Sequence, residues 1–321
     1  MLTAEKVKQA ARAMGADLVG IGSPDRWEGA PLQMDPRMIM PEAKSIITMG
    51  FRVMRGSLRG IEEGTFFSNY SSMGYGGLNW LYIPMTVINL AKYIEDYGYE
   101  AIPLGHLSPW RGIGNDGTPV KGRRPVAPGK PIPDVMVHLR IAAFLSGLGE
   151  IGWSKMLLTP QFGPRQRLGV LLTEAELEPD PIIEPGTLCD RCMLCVKECP
   201  TQALARDRSV KVNLAGYEVE WNDIDLEKCS VGFRGGVFTE EGEEGHYFPN
   251  RSDVKAGPWS PFEVKPSSVY IHGEGIAGSK GCMRACMIHL EEQGKLGNKF
   301  HKPFRRKKLW AIDWSADAAG G

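Results

Sequence analysis

The sequence predicts an α+β protein in two parts: a core of helices and strands over residues 1–184, and a cysteine-rich module with a C-terminal tail over 185–321. Three observations predict it. Apolar segments of helical and extended character alternate up to Asp180. Beyond Asp180 the texture turns to cysteines and polar loops, with five of the seven cysteines between Cys189 and Cys229. No G-x-G-x-x-G follows a strand and no P-loop occurs, which excludes nucleotide sites of those kinds. The 38 basic and 38 acidic residues balance, so nothing attracts the chain in general to phosphate backbones or anionic lipid, and a nucleic-acid partner is disfavoured. No apolar run approaches the roughly 18–20 residues that span a bilayer. The first residues carry neither an apolar signal core nor a twin-arginine pair, so a cytoplasmic location is expected. There, clustered cysteines point to metal rather than disulfides.

Thr3 is placed to cap a first helix, in which Val7, Ala10, Ala11 and Met14 share a face and Gly15 ends the turn. Asp17 to Gly22 and Ser45 to Val53 read as extended. From Gly56 to Gly77 the glycines, serines and aromatics show no period, which predicts a loop over a ligand. Pro84 opens a helix whose Val87, Leu90, Ala91 and Ile94 repeat at helical spacing before Gly98. Residues 105–133 are crowded with proline and glycine and predict a long surface loop, in which Lys121, Arg123, Arg124 and Lys130 are read as solvated charges. Val135 to Ser146 reads as a helix ended by Gly147, with Asp134 in the N-cap position, and Leu168 to Thr173 as a buried strand. The tail from Phe300 is basic and then apolar, and is expected to dock on the body through Trp310, Ile312 and Trp314.

Cys189, Cys192, Cys195 and Cys199 followed by Pro200 reproduce the C-x2-C-x2-C-x3-C-P run of ferredoxins that carry two iron–sulfur clusters. In that run three close thiolates wrap one cluster and the fourth serves the other. Zinc sites with four cysteines more often use two separated C-x2-C pairs. Cys282 and Cys286 form the last x3 pair of a second motif, Ser279 stands where its preceding ligand should be, and Cys229 is the natural distal ligand. The cross-over rule then gives cluster one Cys189, Cys192, Cys195 and Cys286, and cluster two Cys199, Cys229 and Cys282. Two complete four-iron clusters take about eight thiolates, and the chain has seven cysteines. The expectation is therefore one [4Fe-4S] cluster and one that is either [4Fe-4S], completed by Ser279 or another ligand, or [3Fe-4S].

Ahead of the first cysteine run the sequence reads AAFLSGLGEIGWSKMLLTPQFGPRQRLGVLLTEAELEPDP, and then LCDRCMLCVKECPTQAL. With its Gly147-Leu148-Gly149-Glu150 turn and its Gly163-Pro164-x-x-Arg167 motif, the chain resembles the cobalamin-dependent reductive dehalogenases and, more distantly, the epoxyqueuosine reductases. The likeness runs from Pro84 to Cys286. It implies a nitroreductase-like core that holds a corrinoid base-off, without a protein histidine below the cobalt, next to the two-cluster ferredoxin-like module. It places Gly147, Leu148, Gly149, Thr159, Pro160 and Phe162 at the corrinoid.

The resemblance further implies that the clusters reduce cobalt to Co(I), which attacks the substrate while the protein supplies a proton. The dehalogenase proton donor is a tyrosine whose pKa a neighbouring Arg or Lys lowers. Arg167 matches that arginine, and Tyr82, then Tyr75, then Tyr70 are the candidate tyrosines. His106 stands where dehalogenases often carry a substrate-contacting asparagine, and Asp134 stands near the proton-donating aspartate of epoxyqueuosine reductases. Two departures touch the second cluster: Ser279 replaces a cysteine, and Met287 follows Cys286 where relatives carry proline. The activity implied is reductive dehalogenation of a small halogenated organic substrate, with electrons from an external donor such as a ferredoxin or flavodoxin, and with a homodimer left open. The alternatives are a tRNA-modifying epoxyqueuosine-reductase-like enzyme and a non-catalytic electron carrier or corrinoid reductive activator.

Overall fold

The computed structural model describes residues 1–105, 124–233, 236–238, 244–246, 279–307 and 310. Its centre is a four-stranded antiparallel sheet of β1 (Leu18–Gly22), β2 (Ser45–Arg52), β3 (Ala101–Leu104) and β6 (Gln166–Thr173), in the order β1-β2-β6-β3. Strand alternation divides its apolar residues between two faces. Ile47, Met49, Phe51 and Leu171 meet α1 (Ala4–Ala13) and α3 (Ile83–Glu95), whereas Ile46, Val170 and Leu172 meet α4 (Leu139–Leu145).

The helices form where the apolar spacing places them. The Thr3 side chain accepts from the Lys6 amide at 3.3 Å and caps α1, which buries Val7 and Ala11. In α3, Ile83, Val87, Leu90, Ala91 and Ile94 are buried, each worth about 1.5–3 kcal/mol for the larger side chains. Gly169 of β6 allows this packing, because a Cβ there would lie 2.8 Å from methyl carbons of both Ile83 and Val87.

Four expectations need correction. Residues 55–82 are not an open loop but a chain of helical turns: a 3-10 turn at Arg55–Leu58, α2 (Arg59–Glu63), and π-helical turns at Tyr70–Gly76 and Leu78–Tyr82. Leu58, Ile61, Phe67 and Tyr70 are buried there against Met283, Met287 and Phe304, so long-range packing supplies what the local pattern lacks. Second, α4 begins at Leu139 rather than Val135, and its cap is His138, whose Nδ1 accepts from the Ile141 amide at 3.3 Å. Asp134 is therefore not the N-cap. Third, the first part holds a further small pair, β4 (Glu150–Ile151) with β5 (Leu157–Leu158).

Fourth, the module beyond 185 is not only cysteines and loops. It contains α5 (Leu194–Lys197), the long hairpin of β7 (Leu204–Leu214) and β8 (Tyr217–Ile224), α6 (Leu226–Phe233), the short pair β9 (Gly236–Phe238) and β10 (Glu244–His246), and α7 (Cys282–Glu292). The hairpin lends Leu214, Val219 and Trp221 to the same apolar cluster as Phe144 and Val170, so one core crosses position 185. The tail docks by Trp310, which donates to the Ile61 carbonyl at 2.7 Å and stacks on Phe67. Arg305 pairs with the buried Glu62, and Lys307 with Glu63. Ile312 and Trp314 lie outside the described residues.

Candidate cluster and active site

The first cysteine run is anchored by a buried acid. Glu150, 1% exposed, accepts from the amides of Gly186 at 2.6 Å, Leu188 at 2.9 Å and Cys189. Burial outweighs these bonds and raises its pKa. Arg191 and Met193 take left-handed backbone conformations, φ 57 and 61, which turn the run tightly. The Trp153 amide donates to Cys189 Sγ at 3.3 Å, and the Ala203 amide to Cys199 Sγ at 3.3 Å.

The thiols fall into two groups. Cys189, Cys192, Cys195 and Cys286 line one concave pocket with Trp153 and His289. Burial, then the neighbouring thiols Cys189 and Cys192, pushes Cys195 up to about 12. Burial, then Cys189, Cys195 and Cys192, pushes Cys286 well above its ordinary value. Cys282, carried one helical turn earlier on α7, is also pushed to about 12, by burial and then by Cys199 and Cys229. Desolvated thiols crowded in this way ionise only beside a compensating cation, and no disulfide joins any of them among the described residues. Four sulfurs around one cavity are a donor set that suits an iron–sulfur cluster. Ser279, three residues before Cys282, is wholly buried, and its Oγ has no hydrogen-bond partner among the described residues. In the lining of the same first pocket, Asp190 accepts from Gln293 at 2.6 Å and lies 2.8 Å from His289 Nε2.

The tyrosines separate. Tyr82 is 46% exposed, donates to the Gly15 carbonyl at 3.3 Å and packs edge-on to Phe51, with ring centroids 5.9 Å apart. Tyr70 is buried, and its hydroxyl accepts from Arg167 Nη2 at 2.5 Å. The Arg167 guanidinium also lies 4.4 Å from the Tyr75 ring centroid. Thus Tyr70 and Tyr75, not Tyr82, stand against Arg167. Arg167 acts to lower the Tyr70 pKa, as expected of a neighbouring arginine, but burial is the larger effect and the net shift is upward. Tyr70 belongs to one buried cluster with Met283 and Met287, the residues that follow Cys282 and Cys286 on α7.

The segment assigned to the corrinoid is engaged with the protein itself. A Cβ at Gly147 would meet Pro181, and one at Gly149 would meet Leu158, while Leu148 is buried. Thr159 Oγ1 donates to Gln166 Oε1 at 3.2 Å and accepts from the Phe162 amide at 3.2 Å, and the Pro160 carbonyl accepts from Gly297 at 2.8 Å. His106, Lys121 and Arg123 lie outside the described residues, and Asp134, Arg124 and Lys130 are exposed. Three polar residues went unnoticed in the sequence, Asn79, Arg140 and Lys155, because each is a single residue without motif spacing. Asn79 is fully buried, and neither of its amide atoms has a partner among the described residues.

A mixed α+β chain that gathers its cysteines into two groups beside a tyrosine–arginine pair has the donor set of an iron–sulfur redox protein. No protein-family model matches the chain. Among characterised proteins it is similar to tetrachloroethene reductive dehalogenases. It is 25% identical to one from Desulfitobacterium hafniense over 278 residues, 70% of this chain and 43% of that protein. It is also 25% identical to one from Sulfurospirillum multivorans over 265 residues, 70% of this chain and 45% of that protein. With an epoxyqueuosine reductase from Lactococcus garvieae it shares 36% identity over 181 residues, 54% of this chain and 42% of that protein. The chain thus spans less than half the length of these relatives. Among solved structures, a catabolic reductive dehalogenase in complex with 3-bromo-4-hydroxybenzoic acid is 22% identical, with 70% of this chain and 28% of that one covered and a TM-score of 0.47. The epoxyqueuosine reductase from Bacillus subtilis is 18% identical, with coverages of 74% and 59% and a TM-score of 0.44. The relatives are therefore reductive dehalogenases and epoxyqueuosine reductases, the two groups whose motifs the sequence resembles.

Proposed function

We propose that the chain is an iron–sulfur- and corrinoid-dependent reductase that replaces halogen by hydrogen on a small organic substrate. The observation that carries this reading is the Tyr70–Arg167 pair, packed with Met283 and Met287 of the helix that bears Cys282 and Cys286. Cys189, Cys192, Cys195 and Cys286 would hold a [4Fe-4S] cluster, and the other three cysteines, with Ser279 alongside, a [4Fe-4S] or [3Fe-4S] cluster. Asn79, with both amide atoms buried and unsatisfied, and Arg167, with an orphaned Nε, suit a ligand fringed with carboxamides such as a corrin ring. A bound corrinoid supplies a reduced cobalt that delivers two electrons to the carbon–halogen bond, with the clusters renewing them singly.

The protein's part is the proton. Tyr70, raised by burial, keeps its hydroxyl proton at neutral pH and offers it to the carbon that loses halide. Arg167 orients that hydroxyl and stabilises the phenolate left behind. Tyr75 packs against the guanidinium and fixes its plane. Two electrons and one proton enter, and a C–H bond and a halide ion leave. Halide release from chlorinated or brominated phenols and alkanes by reconstituted, reduced protein tests this reading; no release from any of them, with cobalt bound, contradicts it.

A second reading is favoured by the 36% identity to an epoxyqueuosine reductase: a reductase acting on tRNA. Turnover of epoxyqueuosine-containing tRNA, without halide release, would establish it. If corrinoid binds and neither substrate class is turned over, a corrinoid activator or electron carrier is left.

A further inference from the structure

Lys155, at the turn between β4 and β5, and Arg140 of α4 stand together, with no acid paired to either among the described residues. Lys155 has φ 58, the left-handed region that suits glycine and strains any other residue. Arg140, in the first turn of α4, donates Nη1 to the Lys155 carbonyl at 2.6 Å, which ties guanidinium and ammonium to one short segment. The Lys155 ammonium lies 5.1 Å from the Trp221 ring centroid. Burial, then Arg140, depresses this ammonium, and no carboxylate among the described residues counters it. Burial, then Arg167, depresses Arg140, which finds partial relief in the thiols of Cys229 and Cys282. His138 completes the group: burial, then Arg140 and Lys155, hold it at about 3, so it is neutral, and its Nδ1 accepts from Ile141. The proton is therefore on Nε2, a third donor.

A strained lysine, partly withdrawn from water and facing a second cation, has the Trp221 ring beside it and no carboxylate countering it among the described residues. The missing partner is an anion. We propose that Arg140 and Lys155 hold an oxyanion, the carboxylate or phosphate group of an organic ligand. Naming the ligand rests on the function proposed above: the anion is either the phosphodiester of a nucleotide-bearing corrinoid or the acid group of the substrate.

Lys155→Gly tests it, because glycine removes the ammonium and suits the backbone at that position, so the fold should hold. Binding of cobalamin, of cobinamide (the same ring without the phosphodiester), of benzoate and of inorganic phosphate to the full chain is measured by calorimetry for wild type, Lys155→Gly and Arg140→Gln. Each substitution is expected to weaken an oxyanion probe about tenfold, the size of one lost charge-assisted hydrogen bond, with the melting temperature of Lys155→Gly at or above wild type. Loss for cobalamin but not cobinamide assigns the site to the cofactor phosphodiester; loss for benzoate, with both corrinoids unchanged, assigns it to the substrate. Equal loss for cobalamin and cobinamide, unchanged binding of every probe, or no binding of any anion by wild type overturns the proposal. Phosphate or benzoate binding that depends on Lys155, in a chain that takes up neither corrinoid, would keep the oxyanion site and remove the dehalogenase reading.

Discussion

Tyr70→Phe isolates the hydroxyl on which the proposed proton transfer depends. Tyr70 is 4% exposed, and its oxygen receives Arg167 Nη2, while Arg167 Nε already lacks a partner among the described residues. Removing the oxygen leaves a second buried donor of the same guanidinium unsatisfied, at a cost of about 1–3 kcal/mol. At about 2–4 °C per kcal/mol for a chain of this class, the melting temperature should fall by about 2–12 °C. Turnover should fall at least about tenfold, the loss expected for a general acid. Tyr82→Phe gives up only an exposed 3.3 Å bond to Gly15 and should stay within about 0.5 kcal/mol, with turnover unchanged. The pH dependence has a definite sign. Because burial raises the Tyr70 pKa in the fold, the folded chain holds this proton more tightly than the unfolded one. The contribution is complete below about pH 10 and is lost as pH rises through the folded value, and Tyr70→Phe should remove that alkaline loss. Thermal denaturation across pH, paired with halide-release rates, reads all of this. Equal effects from the two substitutions, or a Tyr70→Phe protein as active as wild type, would refute the assignment.

Three further outcomes are expected. Gly169→Ala places a methyl 2.8 Å from Ile83 and Val87 carbons and should destabilise the core by about 1–3 kcal/mol through overpacking; an unchanged urea midpoint would show that α3 does not lie so close to β6. Glu150→Ala orphans the amides of Gly186, Leu188 and Cys189 and should cost at least about 1–3 kcal/mol, with lower iron retention at the first cluster measured after gel filtration. Ser279→Cys supplies a sulfur where a buried hydroxyl has no partner and should turn the second centre into a four-cysteine cubane. An EPR spectrum identical before and after would put Ser279 away from the iron.

What was legible in the sequence follows from how local each signal is. The Pro84 helix and the Ser45 strand emerged because their burial pattern repeats within the element itself, from Val87 to Ile94 and from Ser45 to Phe51. The turns between Arg55 and Tyr82 stayed hidden because their apolar residues are satisfied by Met283, Met287 and Phe304, more than two hundred positions away. The cysteine spacing was readable because cluster ligation constrains the chain locally. The choice among Tyr70, Tyr75 and Tyr82 was not, because π-helical turns shift which side chains share a face, and only the fold brings Tyr70 to Arg167. Lys155 carries a backbone clue, but a left-handed lysine looks like any other lysine in a sequence.

The most direct test is an inventory of iron, sulfide and cobalt per chain, with EPR, on anaerobically purified protein reconstituted with cobalamin. About one cobalt with about seven or eight irons is the expected result. Iron without cobalt after reconstitution would contradict the corrinoid enzyme and leave an iron–sulfur electron carrier.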